Sequence, residues 1–267
     1  MNFLGFTFNN KHCSEFGIYI QTRNIPLLPS QRVSEETVIG RDGSYKFEEG
    51  YNDKIIEIDC SFLESDFNKR RQKLREIAGW LSQKGELIFD NEADKAYIGK
   101  IYNQIDLEMY STFDQFTLIF VCEPFAYSRW DNSELLQYYT KGFEIDGQYI
   151  GYMQTTFNNI TSNITVTLAN LGNYYALPTI EIDGTADSVV IGTDENSFNI
   201  VNITEKTYVD CKNMIVYTLD EFGKKQNKLQ DFEGNFIKLK SGLNEISVEG
   251  TNLNLSSVFF NYRNTYL

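Results

Sequence analysis

Short segments that alternate apolar and polar residues fill the chain from residue 164 onward, and turn residues separate them roughly every 8–12 positions. Successive side chains of a strand point to opposite sides, so each segment places its apolar residues on one face. The segments read ITVTLAN, TIEI (before Asp183-Gly184), SVVIG, FNIVNI, MIVYTL, FIKL, NEISVEG and SSVFFNY. Their spacing is typical of an antiparallel β-sandwich or barrel.

The sequence pattern of the first half predicts fewer strands than that of the second half, and several of them are longer. We expect them at residues 3–8, 16–21, 54–63, 86–89, 96–105 and 113–121. The last of these is expected to stop at Pro124, which cannot donate a hydrogen bond to a ladder. Residues 22–36 are predicted to be an extended excursion outside the core.

One amphipathic helix is predicted from Asp66 to about Gln83, with Ser65 as its N-cap and Gly85 as its stop. Its apolar face is expected to contain Phe67, Leu74, Ile77, Ala78 and Leu81. The basic residues of the segment, among them Arg70, project mainly from the other faces. This is typical of a solvated helix surface packed on a sheet, although a nucleic-acid patch is the other interpretation.

Composition excludes several classes of protein. Hydrophobic residues make up 42% of the 267-residue chain, which is ample for a folded core. The net charge of −13 argues against specific DNA binding, which needs clustered positive charge. It is compatible with a protein surface that DNA passes without binding. The N-terminus lacks the basic and apolar regions of a signal peptide, and the apolar runs are too short for a membrane span.

The sequence offers little for chemistry. The four cysteines are widely spaced, and His12 is the only histidine, so we expect no metal site, and buried free thiols. A His12-Cys13 neighbour pair does not by itself place sulfur and imidazole for catalysis. We therefore predict no catalytic residue, no cofactor and no enzymatic activity.

A surface excursion is marked by Pro26 and Pro29 and by the tight turn Gly40-Arg41-Asp42-Gly43. Glycine accepts the positive φ that such turns need. A long loop and an interface hairpin are equally compatible with these residues alone.

The first half resembles the N-terminal domain of phage distal tail proteins. The resemblance rests on Phe16-Gly17-Ile18, Ile39–Gly43, Ile77–Leu81, Glu86–Asp90 and Phe120–Tyr127, in that order and with one helix between strands. The second half is similar to the galectin-like β-sandwich of that family. The features are Asn170-Leu171-Gly172, Leu177–Ile180 and Phe236–Leu239 before Ser241-Gly242, where the family usually has proline in place of Ser241.

The resemblance implies a mainly β protein with a ring-forming tail-tube-type domain at 1–130 and a galectin-like domain at 131–267. It implies a structural virion protein of long non-contractile phage tails. Such subunits form a hexameric ring in the tail-tip baseplate, between the tail tube protein and the hub protein. DNA passes through its central channel. The C-terminal domains would support a receptor-binding protein and host attachment. Residues 22–50, with Pro26, Pro29 and Gly40–Gly43, would form a hairpin that contacts the neighbouring subunit. The protein would be made in the cytoplasm of the bacterial host.

The alternative is an adhesin that recognises host cell-wall glycans. Both tryptophans, Trp80 and Trp130, lie outside the second domain, which therefore lacks the tryptophan and histidine with which galectins bind sugar. Tyr174 and Tyr175 could form a stacking platform, although such pairs more often pack at sheet rims.

Overall fold

The computed structural model describes residues 5–64, 66–109, 114–129, 143–145, 148–150 and 155–267. The chain divides into two compact units, residues 1–129 with residue 267, and residues 130–266. The assignment of domains to 1–130 and 131–267 remains our proposal. The predicted N-cap Ser65, Trp130 and the side chain of Phe67 lie outside the described part of the chain.

The first unit contains ten strands and one α-helix among its described residues. They are β1 (Phe6–Phe8), β2 (Lys11–His12), β3 (Ile18–Asn24), β4 (Gln31–Glu36), β5 (Tyr45–Tyr51), β6 (Lys54–Phe62), α1 (Phe67–Leu81), β7 (Gly85–Phe89), β8 (Lys95–Ile101), β9 (Glu108–Met109) and β10 (Asp114–Ser128). An antiparallel sheet has the order β2-β1-β7-β8-β10-β6-β3, with β9 also paired to β10. The predicted mainly β character with a single helix is thus confirmed.

Three predicted strands have clearly different bounds. The strand predicted at 96–105 ends at Ile101. Residues 13–16 form a 3-10 turn, and Gly17 has φ 74°, so β3 begins only at Ile18. The predicted stop at Pro124 is wrong, because β10 continues to Ser128. Its pairing with β8 shifts register between Cys122 and Ala126, and Pro124 lies in this irregularity, where the ladder needs no donor.

An aromatic cluster holds α1 on the sheet. The Trp80 ring stacks on Phe6 and Phe16, with ring centroids 5.8 and 4.5 Å away. The indole Nε1 donates a hydrogen bond of 2.7 Å to the carbonyl oxygen of Phe8. Phe8 in turn contacts Phe120 of β10, at 5.1 Å between centroids. The cluster therefore fixes both the position and the rotation of the helix.

The predicted apolar face of α1 is partly wrong. Ile77 and Leu81 are buried, but Ala78 is exposed. Arg70 is 8% exposed, and its Nη1 lies 3.5 Å from Oδ1 of the buried Asp114. Its Nε and Nη2 also donate to the carbonyl oxygen of Glu64, at 3.0 and 2.9 Å. Arg70 points inward because these acceptors compensate part of the cost of burying its charge.

The second unit contains thirteen strands among its described residues. They are β11 (Phe143–Ile145), β12 (Gln148–Ile150), β13 (Thr156–Ile160), β14 (Ile164–Asn170), β15 (Thr179–Gly192), β16 (Ser197–Ile203), β17 (Thr207–Asp210), β18 (Ile215–Leu219), β19 (Lys225–Asn227), β20 (Phe232–Gly234), β21 (Gly242–Thr251), β22 (Asn254–Asn261) and β23 (Thr265–Tyr266). One sheet runs β13-β22-β15-β17-β18-β19, and a second runs β14-β21-β15-β16-β20. The long strand β15 belongs to both sheets, and β22 completes this unit by pairing with β13 and β15.

Two turn and strand predictions in this unit are wrong. The segments TIEI and SVVIG belong to one strand, and Asp183-Gly184 is a register shift within it. Gly184 has φ 128°, and a Cβ there would lie 2.5 Å from the carbonyl oxygen of Asn254, which explains why glycine occupies the shift. The predicted strand FIKL is instead a buried connection whose Leu239 makes a single bridge to Ala176.

Replacing Trp80 tests the aromatic cluster. We expect Trp80→Phe to lower the free energy of unfolding by about 1–3 kcal/mol, because it removes the hydrogen bond to Phe8 and leaves unfilled volume. Urea denaturation measures the change. Ala78→Gln, on the exposed face of the same helix, should stay within about 0.5 kcal/mol of the parent. Equal effects of the two variants would contradict the described packing.

Candidate assembly interface

The hairpin of β4 and β5 is a two-stranded sheet of its own, separate from the main sheet of the first unit. The two strands pair only with each other among the described residues. Every residue of β4 is exposed, and so is all of β5 except the partly buried Tyr51. A two-stranded ribbon is at best marginally stable alone in water, so this hairpin depends on support from its base.

The base of the hairpin is anchored on its own unit. Pro29 is buried and Pro26 partly buried. The amide of Asn52 donates to the carbonyl oxygen of Ser30 at 2.8 Å and closes the two ends. The Tyr51 ring meets Phe125 of β10 edge to face, with centroids 5.5 Å apart. The two predicted interface prolines thus lie at the base, where they restrict the path of the chain.

Seven large apolar side chains of this excursion are exposed. We call this set the hairpin patch: Leu27, Leu28, Val33, Val38, Ile39, Tyr45 and Phe47. Leu27 is 93% exposed, and Ile39 is fully exposed. Single exposed apolar residues are common, but a group on one projecting element is typical of a protein interaction site.

The tip of the hairpin is an ordered turn. Gly40 and Gly43 have φ of 85° and 81°, which confirms the predicted conformation at both glycines. The amide of Arg41 donates to the carbonyl oxygen of Val38 at 3.2 Å, and its guanidinium lies 3.9 Å from the centroid of the Tyr45 ring. Arg41 and Asp42 are exposed there.

An ion pair supports the turn below the tip. Lys46 Nζ lies 3.2 Å from Glu35 Oε1, and Ser44 Oγ donates to Glu35 Oε2 at 3.2 Å. The hydrogen bond from Lys46 is the main reason that the pKa of Glu35 is lowered, so the pair stays charged at neutral pH. The sequence pattern predicted the turn glycines but not the hairpin patch. The apolar pair Val38-Ile39 beside a polar turn was a usable signal for the patch.

The predicted glycan residues Tyr174 and Tyr175 are neighbours but do not form a flat platform. Their rings meet edge to face, with centroids 5.6 Å apart and planes at 77°. Tyr174 is partly buried, and its amide donates to Thr265, whereas Tyr175 is 38% exposed. The pair therefore offers one accessible ring.

The only histidine joins three segments of the first unit. His12 Nδ1 lies 2.6 Å from Ser14 Oγ, and Nε2 lies 3.2 Å from both carboxylate oxygens of Asp90. The Ser14 amide also donates to Nδ1, and the Gly5 amide donates to Asp90 Oδ2 at 2.8 Å. The sequence did not predict this serine–histidine–aspartate group. Its hydrogen bonds cap the 3-10 turn at 13–16 and tie Gly5 to the loop after β7.

The residues of β6 alternate between buried and more exposed positions, so one face of the strand is open to solvent. Glu57 and Asp59 are exposed there, whereas the single lysine of the strand, Lys54, is buried. Thr117 and Thr22 donate to the Asp59 carboxylate at 2.7 and 2.5 Å and lower its pKa. This face is therefore negatively charged at neutral pH.

No group of three or more metal-ligating side chains occurs within the described ranges. In the same part of the chain, no helix has the length and apolarity to cross a membrane.

Burial controls the reactivity of the cysteines, all four of which are free and buried. Desolvation raises the pKa of Cys122 and of Cys211 to about 12 and also raises the pKa of Cys13 and Cys60. A raised thiol pKa leaves little thiolate at pH 8.

We therefore expect the native protein to resist thiol labelling at pH 8, with four thiols reacting promptly in denaturant. Absorbance after addition of a disulfide reagent measures the number. Rapid labelling of one or more native thiols would contradict the described burial.

Comparison with known proteins agrees with this architecture. Residues 11–122 match the family described as the phage tail protein RIFT-related domain. The crystal structure of the SPP1 Dit protein, described as a paradigm of the hub adsorption apparatus in phages infecting Gram-positive bacteria, superposes with a TM-score of 0.67. It shares 16% identity, and the match covers 99% of each chain. A chain of the phage p2 baseplate in its activated conformation with Sr gives a TM-score of 0.48 at 8% identity, covering 97% of each chain. No curated protein sequence matches significantly.

These findings define the fold. The match to the phage tail protein RIFT-related domain lies within the first unit and covers less than half of the chain. The whole chain has the fold of the distal tail protein Dit, which confirms the predicted resemblance and fold class.

Proposed function

We propose that this chain is a structural subunit at the distal end of a phage tail, and that its copies close into a ring through the hairpin of β4 and β5. The observation that carries the proposal is the hairpin patch, which is anchored at its base and exposed on both faces. Burial of apolar surface contributes about 25 cal/mol per Å², so docking of this patch on a neighbour would favour assembly.

A ring follows from the kind of contact that a projecting hairpin makes. The hairpin of one copy would meet a different surface of the next copy, which is a heterologous interface. Such interfaces close into rings when the rotation between copies returns to the start. Resemblance to distal tail proteins supports six subunits.

The position in the tail supplies the partners. The ring would join the tail tube protein on one side and the hub or tip protein on the other. The second unit would support a receptor-binding protein. Synthesis would take place in the bacterial host cytoplasm, with assembly at the virion tail tip.

Charge supports a passive path for DNA. The chain carries 37 acidic against 24 basic residues, and the exposed face of β6 displays Glu57 and Asp59. Carboxylates repel phosphates and release no counterions from DNA. A channel lined in this way would let DNA pass without retaining it, and the subunit would act through its interfaces, without catalysis.

Changes in the hairpin patch test the ring. We expect Ile39→Asp to abolish the assembly of about six times 30.9 kDa, because it places a charge in the buried centre of the contact, while the subunit stays folded. Light scattering measures the mass. Phe222→Asp, at a residue of the second unit that is 87% exposed, is the matched control and should assemble normally. A stable monomer of the parent chain that binds cell-wall glycans would overturn the proposal.

Charge reversal at the tip is a second test. Arg41→Glu removes the cation above the Tyr45 ring and adds to an already acidic protein. We expect weaker assembly, with a larger effect at low salt, and an unchanged unfolding midpoint because the tip is exposed. Lys212→Glu, on the second unit, applies the same charge change elsewhere. Assembly that is equal in the two variants would place the tip outside the interface.

A further inference from the structure

Strand β14 forms a free edge of the second unit. It pairs with β21 over all seven residues, from Ile164↔Val248 to Asn170↔Gly242, without a register shift. Within the part of the chain that the structure describes, β21 is its only strand partner. The opposite side of β14 presents free backbone donors and acceptors at Thr165 and Thr167. At Ala169 it is closed, because the carbonyl oxygen accepts a hydrogen bond of 2.9 Å from the buried Tyr262 hydroxyl.

Other free edges carry features that discourage pairing. Strands β19 and β20 have three residues each and contain Lys225 and Glu233. Strand β3 contains Arg23 and a register shift. Strand β13 includes Asn159 with φ 56°, where its pairing is interrupted. Charges, short length and irregularities are the usual protections of sheet edges.

Strand β14 has none of these protections. Its sequence, ITVTLAN, contains no charged residue, proline or glycine. The chain as a whole is 23% charged, so a neutral seven-residue edge stands out. Thr165 and Thr167 are exposed on one face, and Val166 and Leu168 are buried on the other. An added strand would thus extend both the polar face and the apolar core.

The direction of the free amides follows from neighbouring hydrogen bonds. The Gly250 amide donates to Asn163 Oδ1 at 3.2 Å, so this residue of β21 faces the β14 side. Backbone groups alternate along a strand, so Val248 and Ile246 also face β14 and pair with Ile164 and Val166. The amides of Thr165 and Thr167 consequently point away from the sheet at the open part of the edge.

Charge indicates the chemistry of the added strand. The strands of this sheet, β14, β21, β15, β16 and β20, contain no lysine or arginine. Glu245 and Glu249 are exposed on β21, and Glu245 lies opposite Thr167. These carboxylates lie one strand beyond β14, so they would attract basic side chains of an added strand across the exposed face of β14.

We infer that β14 is a docking edge for an extended segment of a partner protein, which alternates apolar and basic residues and adds to the sheet as a further strand. Backbone hydrogen bonds to Thr165 and Thr167 would supply affinity. The carboxylates of Glu245 and Glu249 would select basic side chains. A second copy of this chain fits less well, because it would bring two acidic sheets together.

A synthetic peptide that alternates valine and lysine provides the probe. Fluorescence anisotropy of the labelled peptide measures its binding to the full chain. We expect Thr167→Pro to weaken binding by about tenfold or more, because it removes an outward amide. Thr167→Ala retains that amide and is the matched control, with affinity expected within about twofold of the parent.

Amide hydrogen exchange on the parent chain gives a second measurement that needs no variant. Peptide binding should slow exchange at Thr165 and Thr167 more than at the outward amides of β19, the edge strand of the other sheet. Equal affinity for Thr167→Pro with the fold intact, or equal binding of a scrambled peptide, would overturn strand addition. Absence of binding at millimolar peptide, or a dimer of the chain that Thr167→Pro dissolves, would overturn the partner assignment.

Discussion

The burial of Trp80 between α1 and β1 is the contact on which the first unit depends. Its ring stacks on Phe6 and Phe16, and its nitrogen bonds to Phe8, so one side chain joins the helix, the first strand and the turn after β2. Aromatic residues bury large areas with few rotatable bonds, which makes them effective at fixing such a junction. The sheet that this junction supports includes β3 and β6, between which the hairpin leaves the core.

The contrast between core and hairpin explains the proposed division of roles. Ile56, Ile58 and Phe62 of β6 are fully buried within the unit. The hairpin, which comes directly before β6 in the chain, instead exposes Val33, Ile39 and Phe47. Such exposure leaves these apolar side chains in water in the isolated subunit, and the proposed contact with a neighbouring subunit would bury them. The anchored base limits the conformational entropy that docking would cost.

Regular alternation made much of the fold predictable, as in β6, where buried positions alternate with more exposed ones, and in the first five residues of β14. Predictions failed where a tertiary contact outweighs a local preference. Pro124 was expected to end a strand, but a register shift accommodates it. Arg70 was placed on a solvated face, but Asp114 and the Glu64 carbonyl hold it inside. Both depend on partners far along the chain, which local patterns do not show.

The candidate interface was predictable only in part. The positive φ of Gly40 and Gly43 followed from residue type, because glycine takes that conformation without strain. The hairpin patch could not be predicted from the sequence. Its exposure follows from strand pairing, because β4 and β5 pair with each other and no strand of the described main sheet pairs with them. Likewise, the free edge of β14 is a property of strand order, which its sequence does not reveal.

Electron microscopy of the assembled protein tests the central claim most directly. The account predicts a closed ring in which the hairpin of each subunit lies against its neighbour and Val33, Ile39 and Phe47 are covered. Particles in which these hairpins extend into solvent, or a ring held together by other surfaces, would contradict it.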